Sequence, residues 1–296
     1  MQELQRTTAL GIASKGGRIH WTLVAGASPR LIQMLAQGSC ARLDELRGAQ
    51  SPVGNPVTAA AVIGVGCTSM SPALTALAAG KPVRHIDPLE AYLLAPLACD
   101  APPPLPFAAL VASARFTALV RVDAPGQYTV LGRTSDISAA AVFDKLAWQL
   151  GMDVPGGATL ERLADFGDPT ACALPESATD AASPDFSFLG LQTAALARAR
   201  ELEGGPCEQP RADLAASVQA AVVRQLASHT TRALEQAGVA TLVLTGGVTR
   251  NAALRQALQP YLQPLGITAL ARSHRVAAAT LLRHLHPIES ATLAAA

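Results

Sequence analysis

The stretch Thr241-Leu-Val-Leu-Thr-Gly-Gly-Val-Thr-Arg-Asn-Ala-Ala-Leu-Arg-Gln-Ala-Leu258 limits the folds open to this chain more than any other. Its opening Val- and Leu-rich run suits a strand buried on both faces. Gly246-Gly247 follows, and from Asn251 a helical pattern sets Leu254 and Leu258 four residues apart. Strand, Gly-Gly turn and helix start is the layout by which α/β proteins hold a phosphate or a nucleoside. Glycines let the backbone come close, and the N–H groups of the first helical turn face the anion. A purely structural turn has the same layout, so the stretch specifies an α/β protein and leaves the ligand open.

With 296 residues, 50% of them hydrophobic and 15% charged, the chain can bury one large core or two closely packed ones. A net charge of +1 provides no global field for nucleic acid, although local basic patches remain open. Five scattered cysteines without a C-x-x-C pair read as reduced structural thiols. No signal-peptide pattern opens the sequence, and its apolar runs are broken by Gly, Pro or Arg well short of a membrane span. The expectation is a cytoplasmic protein that makes no membrane contact.

From the N-terminus, residues 8–12 and 18–25 read as a strand hairpin closed by Ser14-Lys15-Gly16-Gly17. Residues 29–47 read as a helix, 59–65 as a buried strand, 71–79 as a helix, 83–86 as a strand and 89–99 as a helix. The stacked prolines of Ala101-Pro-Pro-Pro-Leu-Pro106 cannot continue either kind of element and mark a lobe boundary. Beyond them the opening pattern returns, with strands expected at 108–113, 117–122 and 128–131. This repetition predicts an internal duplication, with the ligand held between two lobes. A helix with Asp136 as N-cap follows, then a break at Pro155-Gly156-Gly157, a helix over 158–166 and a loop over 167–184. A strand-like run over 186–191 leads into a helix over 193–202. A long helix over 212–236 ends at Gly238. A strand over 266–271 and a helix over 275–285 close the chain.

Several blocks are similar to the TsaD family, also called Gcp. They are Glu90-Ala-Tyr-Leu-Leu-Ala-Pro96, Tyr128-x-x-Leu131-Gly132-x-Thr134-x-Asp136, Phe143-Asp144-Lys145, Leu150-Gly151 and Pro155-Gly156-Gly157. Asp185-Phe186-Ser187-Phe188-x-Gly190-Leu191-x-Thr193 and Gly246-Gly247-Val248-x-x-Asn251-x-x-Leu254-Arg255 complete the set. That family transfers threonylcarbamoyl to adenosine 37 of tRNA. The resemblance implies a two-lobed actin/Hsp70-like (ASKHA) α/β fold with duplicated RNase H-like subdomains. On it, residues 1–106 form a shortened N-terminal lobe and 107–272 a C-terminal lobe bearing the nucleotide loops. Residues 273–296 form a terminal helix packed back on the first lobe.

The resemblance also implies that Asp144, Gly157, Gly246, Gly247 and Asn251 hold ATP or an adenylate. Read without it, Asp144 is a solvated helix residue paired with a basic neighbour. A carboxylate suits ribose hydroxyls, and an amide at a helix start offers both a donor and an acceptor.

Departures from the family are equally informative. Its His-x-x-x-His metal pair falls on Pro88 and Tyr92, and its third metal ligand, an aspartate, falls on Arg275. A proline nitrogen cannot ligate and an arginine repels a cation, so no metal is expected. The family's Ser-Gly-Gly-His loop reads Ser113-Ala-Arg-Phe116, and its acidic N-terminal loop is reduced to Ala13-Ser-Lys15. Two further groups, His274 with His284 and His286, and His85 with Asp87 and Glu90, read as surface or core residues. No Ser-His-Asp or Cys-His arrangement supports the protease activity suggested by the family's other name, O-sialoglycoprotease-like.

Three functions stand against one another. The first is a divergent paralogue without metal-dependent transfer that binds a nucleotide or a partner. The second is an active carbamoyl or threonylcarbamoyl transferase in which Arg115 or Arg275 replaces the metal's charge. The third is a small-molecule kinase, disfavoured by the lack of an acidic phosphate-loop residue. Expected partners are a homologous ASKHA-fold subunit or a second copy, docking on residues 71–79 and 89–99 with Leu93 and Leu94. Contact with tRNA stays open.

Overall fold

The computed structural model describes residues 7–15, 18–26, 32–40, 59–62, 83–99, 102–175, 185–202, 208–261 and 279. Two compact units emerge. The first comprises Met1–Leu105, Asp123–Tyr128 and Leu265–Ala295; the second comprises Pro106–Val122, Thr129–Pro264 and Ala296.

In the first unit, β1 (Thr7–Lys15), β2 (Arg18–Gly26), β3 (Ile32–Cys40), β4 (Ala59–Val62) and β5 (Val83–His85) form one sheet in the order β3-β2-β1-β4-β5. β1 and β2 pair antiparallel as far as Lys15↔Arg18, so the hairpin is longer than its apolar residues predict. β4 joins β1 in parallel, and β5 joins β4 in parallel.

Where the sequence predicts a helix over 29–47, Ile32–Cys40 is a strand antiparallel to β2. The register steps between Leu23 and Val24, pairing them with Ala36 and Met34 and leaving Leu35 as an extra residue. Such a bulge swaps the faces of the strand. Met34 is exposed before it, and Gln37 and Ser39 are exposed after it. The swap breaks the two-residue period by which a strand is recognised.

Helix α1 (Pro88–Leu94) follows, capped by Asp87, whose Oδ1 accepts from the Leu89 N–H at 2.7 Å. Pro88 takes the first helical position, where its missing N–H costs nothing. Pro96 lies in the 3-10 turn Ala95–Ala98 that succeeds the helix. Leu93 and Leu94, expected as a partner surface, are fully buried. Buried as they are, these two side chains offer no docking face.

The second unit repeats the plan of the first. Its sheet runs β8-β7-β6-β9, built from β6 (Phe107–Ala112), β7 (Thr117–Ala124), β8 (Gln127–Arg133) and β9 (Leu242–Thr245). β6 pairs antiparallel with β7 and parallel with β9, as β1 does with β2 and β4. β6 and β9 are buried along their whole length, as strands covered on both faces are. Among the described residues, five helices accompany this sheet: α2 (Ala139–Gln149), α3 (Gly157–Ala164), α4 (Leu189–Glu201), α5 (Gln209–Ala237) and α6 (Ala252–Leu258). α5 packs against α3, α4 and α6, and α2 packs against α3 and α4. Gly238 ends α5 in the left-handed conformation at φ 62°.

Asp136 does not cap α2. Ser138 does, its Oγ accepting from the Ala141 N–H at 3.2 Å. The carboxylate of Asp136 instead accepts from the N–H groups of Phe188 and Leu189 and from the Ser187 hydroxyl, at the start of α4. That cap moves the start of α4 to Leu189, into a run expected to be strand-like; there only Phe186 bridges, to Thr134. Phe186 and Phe188 are fully buried, and the Phe186 ring lies 5.4 Å from that of His229 on α5.

The expected elements over 71–79 and 266–271, and all of 275–285 but Ala279, lie outside the described residues, as do His274, Arg275, His284 and His286. No helix among the described residues is long and apolar enough to cross a membrane.

Candidate functional site

Because β6 and β9 are parallel, the loops that follow them emerge at the same sheet edge, where open α/β sheets bind ligands. The loop after β6 is the turn Ser113–Phe116. The buried Ser113 Oγ accepts from the Phe116 N–H at 3.0 Å and, more weakly, from the Arg115 N–H at 3.4 Å, which fixes the turn and leaves Arg115 exposed. The loop after β9 opens with Gly246 at φ 106°. A Cβ on Gly246 would stand 2.2 Å from the Ala112 carbonyl oxygen at the end of β6. Only glycine brings these two loops together.

Three helix starts join them. Ser138, the cap of α2, donates its hydroxyl to the Ala114 carbonyl at 3.1 Å. Further along α2, Asp144 Oδ1 accepts from the Gly156 N–H at 2.8 Å, at the start of α3. From α3, Glu161 Oε1 accepts from the Ala252 N–H at 2.7 Å, at the start of α6. Thr249 then donates its hydroxyl to the Gly246 carbonyl at 2.9 Å. The path returns to β6 and closes a circuit. Of the site residues expected from the sequence, Asp144 and Gly246 make links of this circuit, while Arg115, Gly157, Gly247 and Asn251 lie beside its linked residues in the chain; Arg275 lies outside the described residues.

The circuit also assigns these residues work within the fold. Asn251 is buried; its Oδ1 caps α6 by accepting from the Leu254 N–H at 3.0 Å, and its Nδ2 donates to Gln219 Oε1 at 2.7 Å. The first turn of α6 thus has its Ala252 and Leu254 N–H groups engaged, so it is not the open anion cradle that the Gly-Gly-helix layout suggests. Asp144 is half-buried and ties α2 to α3 rather than pairing with a basic neighbour.

The two glycine pairs divide in the same way. A Cβ on Gly156 would stand 2.0 Å from the Ala147 Cβ, so this glycine, like Gly246, is required by close packing. A Cβ on Gly157 or on Gly247 would meet nothing within 4 Å. Neither has a positive φ, and Gly157 occupies the first position of a helix, where alanine is favoured. The fold itself gives no reason for glycine at either position.

Glu161 and Gln219 were missed in the sequence. Glu161 lies one helical turn beyond Gly157, and its role shows only when α6 is placed beside α3. Gln219 is a lone amide in the apolar run Val218-Gln-Ala-Ala-Val222 of α5, where nothing in the spacing distinguishes it from a surface residue.

Residues 65–273 match the family model of TsaD, tRNA N6-adenosine threonylcarbamoyltransferase. The chain belongs to the TsaD family. Among its curated relatives, the tRNA N6-adenosine threonylcarbamoyltransferase of Bordetella petrii is 47% identical over 196 residues, covering 66% of this chain and 56% of the relative. That of Bordetella avium is 42% identical over 243 residues, covering 81% and 69%. That of Methylibium petroleiphilum is 48% identical over 183 residues, covering 62% and 53%. The chain thus spans little more than half the length of several TsaD relatives.

Solved structures support the ASKHA fold. HypF in its phosphate- and nucleotide-bound form aligns with a TM-score of 0.66 at 9% identity, over 96% of this chain and 56% of that one. The activator of the 2-hydroxyisocaproyl-CoA dehydratase from Clostridium difficile, with bound ADPNP, aligns at 0.54 and 12% identity, over 94% of each chain.

The TsaD metal does not fit the residues at its expected positions. Pro88 has its nitrogen in the peptide bond, and Tyr92, one turn further along α1, presents a phenol in place of imidazole. Glu90 between them is buried and accepts from the Tyr128 hydroxyl at 2.8 Å, both residues lying in the first unit. Among the described residues, no group of three His, Cys, Asp or Glu is placed to hold a metal ion.

Proposed function

We propose that this chain is a divergent TsaD paralogue, related to threonylcarbamoyladenosine formation at position 37 of tRNA. On this reading it holds an adenine nucleotide or adenylate on its second unit without the family's histidine-bound metal. The observation that carries the proposal is the openness at Gly157 and Gly247, glycines that neither packing nor backbone conformation demands. A ligand surface pressed against the backbone supplies the missing reason for them. Asp144 Oδ2 makes no hydrogen bond among the described residues, so it can accept from a ribose hydroxyl while Oδ1 holds Gly156. Pro88 and Tyr92 support the view that transfer through the family's metal is lost. The chain then acts by binding, with a homologous ASKHA-fold subunit or a second copy as its partner.

Calorimetric titration of the metal-stripped protein with ATP, AMP and threonylcarbamoyl-adenylate tests this reading. Saturable binding that Asp144→Ala weakens is the expected result. Absence of binding to all three overturns the nucleotide reading and leaves partner binding, which sedimentation against a second copy or a homologous subunit then examines.

A second reading rests on Arg115. It is exposed, on a turn clamped by Ser113, at the sheet edge that carries Gly246. A guanidinium there can take over the cation's role toward a phosphate or a carbamoyl carboxylate in an active transferase. Metal-free transfer to tRNA adenosine that Arg115→Ala abolishes favours this reading.

A further inference from the structure

We infer that Gln219 is a ligand-contacting specificity residue of this site, presenting its amide nitrogen to a hydrogen-bond acceptor of the bound nucleoside. The inference rests on the nucleotide-binding reading above and follows from a relay of donors and acceptors. It starts at the Leu254 N–H, which can only donate. Because that group donates to the Asn251 side chain at 3.0 Å, the atom facing it must be the amide oxygen. The other end of the Asn251 amide is then the nitrogen, which donates to Gln219 at 2.7 Å. Gln219 must meet it with its oxygen, and its own Nε2 is turned away from Asn251. An amide can be flipped freely only where both ends have equivalent surroundings, and a backbone N–H at one end removes that freedom.

Nε2 carries two donors and makes no hydrogen bond among the described residues, while the Gln219 residue is half-buried. A donor in this position, one contact away from Asn251, suits a purine ring nitrogen or a ribose oxygen. It selects against a ligand that offers only donors there. The fold needs only the oxygen of Gln219; a ligand needs its nitrogen.

Replacement by glutamate separates the two roles. Gln219→Glu keeps an oxygen for Asn251 and removes the Nε2 donor, setting a carboxylate in its place. The experiment is calorimetric titration of the full chain and of Gln219→Glu with AMP, with thermal melting of both, repeated with 3-deaza-AMP and 2′-deoxy-AMP. The expected result is an unchanged melting temperature with AMP affinity reduced about tenfold or more. The wild-type protein loses affinity for one of the two acceptor-deleted analogues, and the variant no longer distinguishes that analogue from AMP. If the variant binds AMP as the wild type does, the proposal fails while the nucleotide reading stands. If its melting temperature falls and it still discriminates the analogues, Gln219 is only a structural partner of Asn251, and the proposal again fails. If wild-type protein binds no AMP, the nucleotide reading itself falls and takes the proposal with it. Gln219→Met, which removes both polar ends, serves as the second variant. Should Gln219→Glu not fold, loss of analogue discrimination in Gln219→Met supports the proposal and retained discrimination overturns it.

Discussion

Asp136 Oδ2 accepts a 2.6 Å hydrogen bond from the Ser187 hydroxyl, 51 residues further along the chain. The same carboxylate takes the Phe188 and Leu189 N–H groups at 3.0 and 3.2 Å, so one side chain locks the end of the β8 segment to the start of α4. Asp136→Ala removes an acceptor from several donors at once and should destabilise the chain by about 0.5–2 kcal/mol in urea unfolding, the range for loss of a helix cap. Asp136→Asn should cost less, because its oxygen still accepts.

Acid should reveal the same carboxylate. Partial burial pushes its pKa up, but the hydrogen bonds from Ser187, Phe188, Ile137 and Leu189 outweigh burial and hold it below the usual aspartate value. Its stabilising contribution is therefore complete above the unfolded-state pKa and is lost as pH falls through the folded one. Unfolding midpoints measured below about pH 5 should fall less steeply in Asp136→Asn than in the wild type, with the two curves parallel near neutrality.

The glycine pairs should separate folding from binding. Gly246→Ala forces a Cβ against the Ala112 carbonyl at φ 106° and should lower the melting temperature markedly, with a cost of roughly 1–3 kcal/mol or more. Gly157→Ala should leave stability unchanged or raise it by up to about 1 kcal/mol, since alanine is the better helix residue, and yet weaken nucleotide binding. Equal nucleotide affinity in Gly157→Ala and wild type would remove the main support for the cradle.

Glu161 and the start of α6 form another test. Glu161→Ala leaves the Ala252 N–H without its 2.7 Å acceptor and should cost about 0.5–2 kcal/mol. Glu161→Gln retains an acceptor oxygen and should recover most of the loss. Hydrogen exchange at Ala252 reports the contact directly.

Metal removal should be silent. With imidazoles absent at Pro88 and Tyr92, prolonged chelation should leave both the AMP affinity and the melting temperature unchanged, as read by calorimetry. A chelator-dependent fall in either, restored by zinc or iron, would mean that residues other than those two hold a metal.

How far the sequence reaches depends on where its local signals point. The β6–β7 hairpin, β9, the Gly238 stop and the duplicated plan were legible because apolar runs, turns and caps act over a few residues. β3 was not, since the bulge at Leu35 breaks its alternation and leaves Leu31, Met34 and Leu35 spaced as on a helix. Asp136 looked like the cap of the nearest helix, but Ser138 stands closer and the aspartate reaches α4 instead. At the site, motifs located Asp144, Gly246 and Asn251, but the partners that orient them come from distant helices. A contact such as Gln219 with Asn251, 32 residues apart, leaves no trace in the spacing of either.

The circuit from Ser113 through Ser138, Asp144, Glu161 and Thr249 has a kinetic consequence. Each link joins atoms of the chain itself, so no ligand atom is needed to complete the rim. Association should then proceed in one concentration-dependent phase, without a slower isomerisation that saturates at high nucleotide. Differences in affinity among variants should appear in how fast the nucleotide leaves.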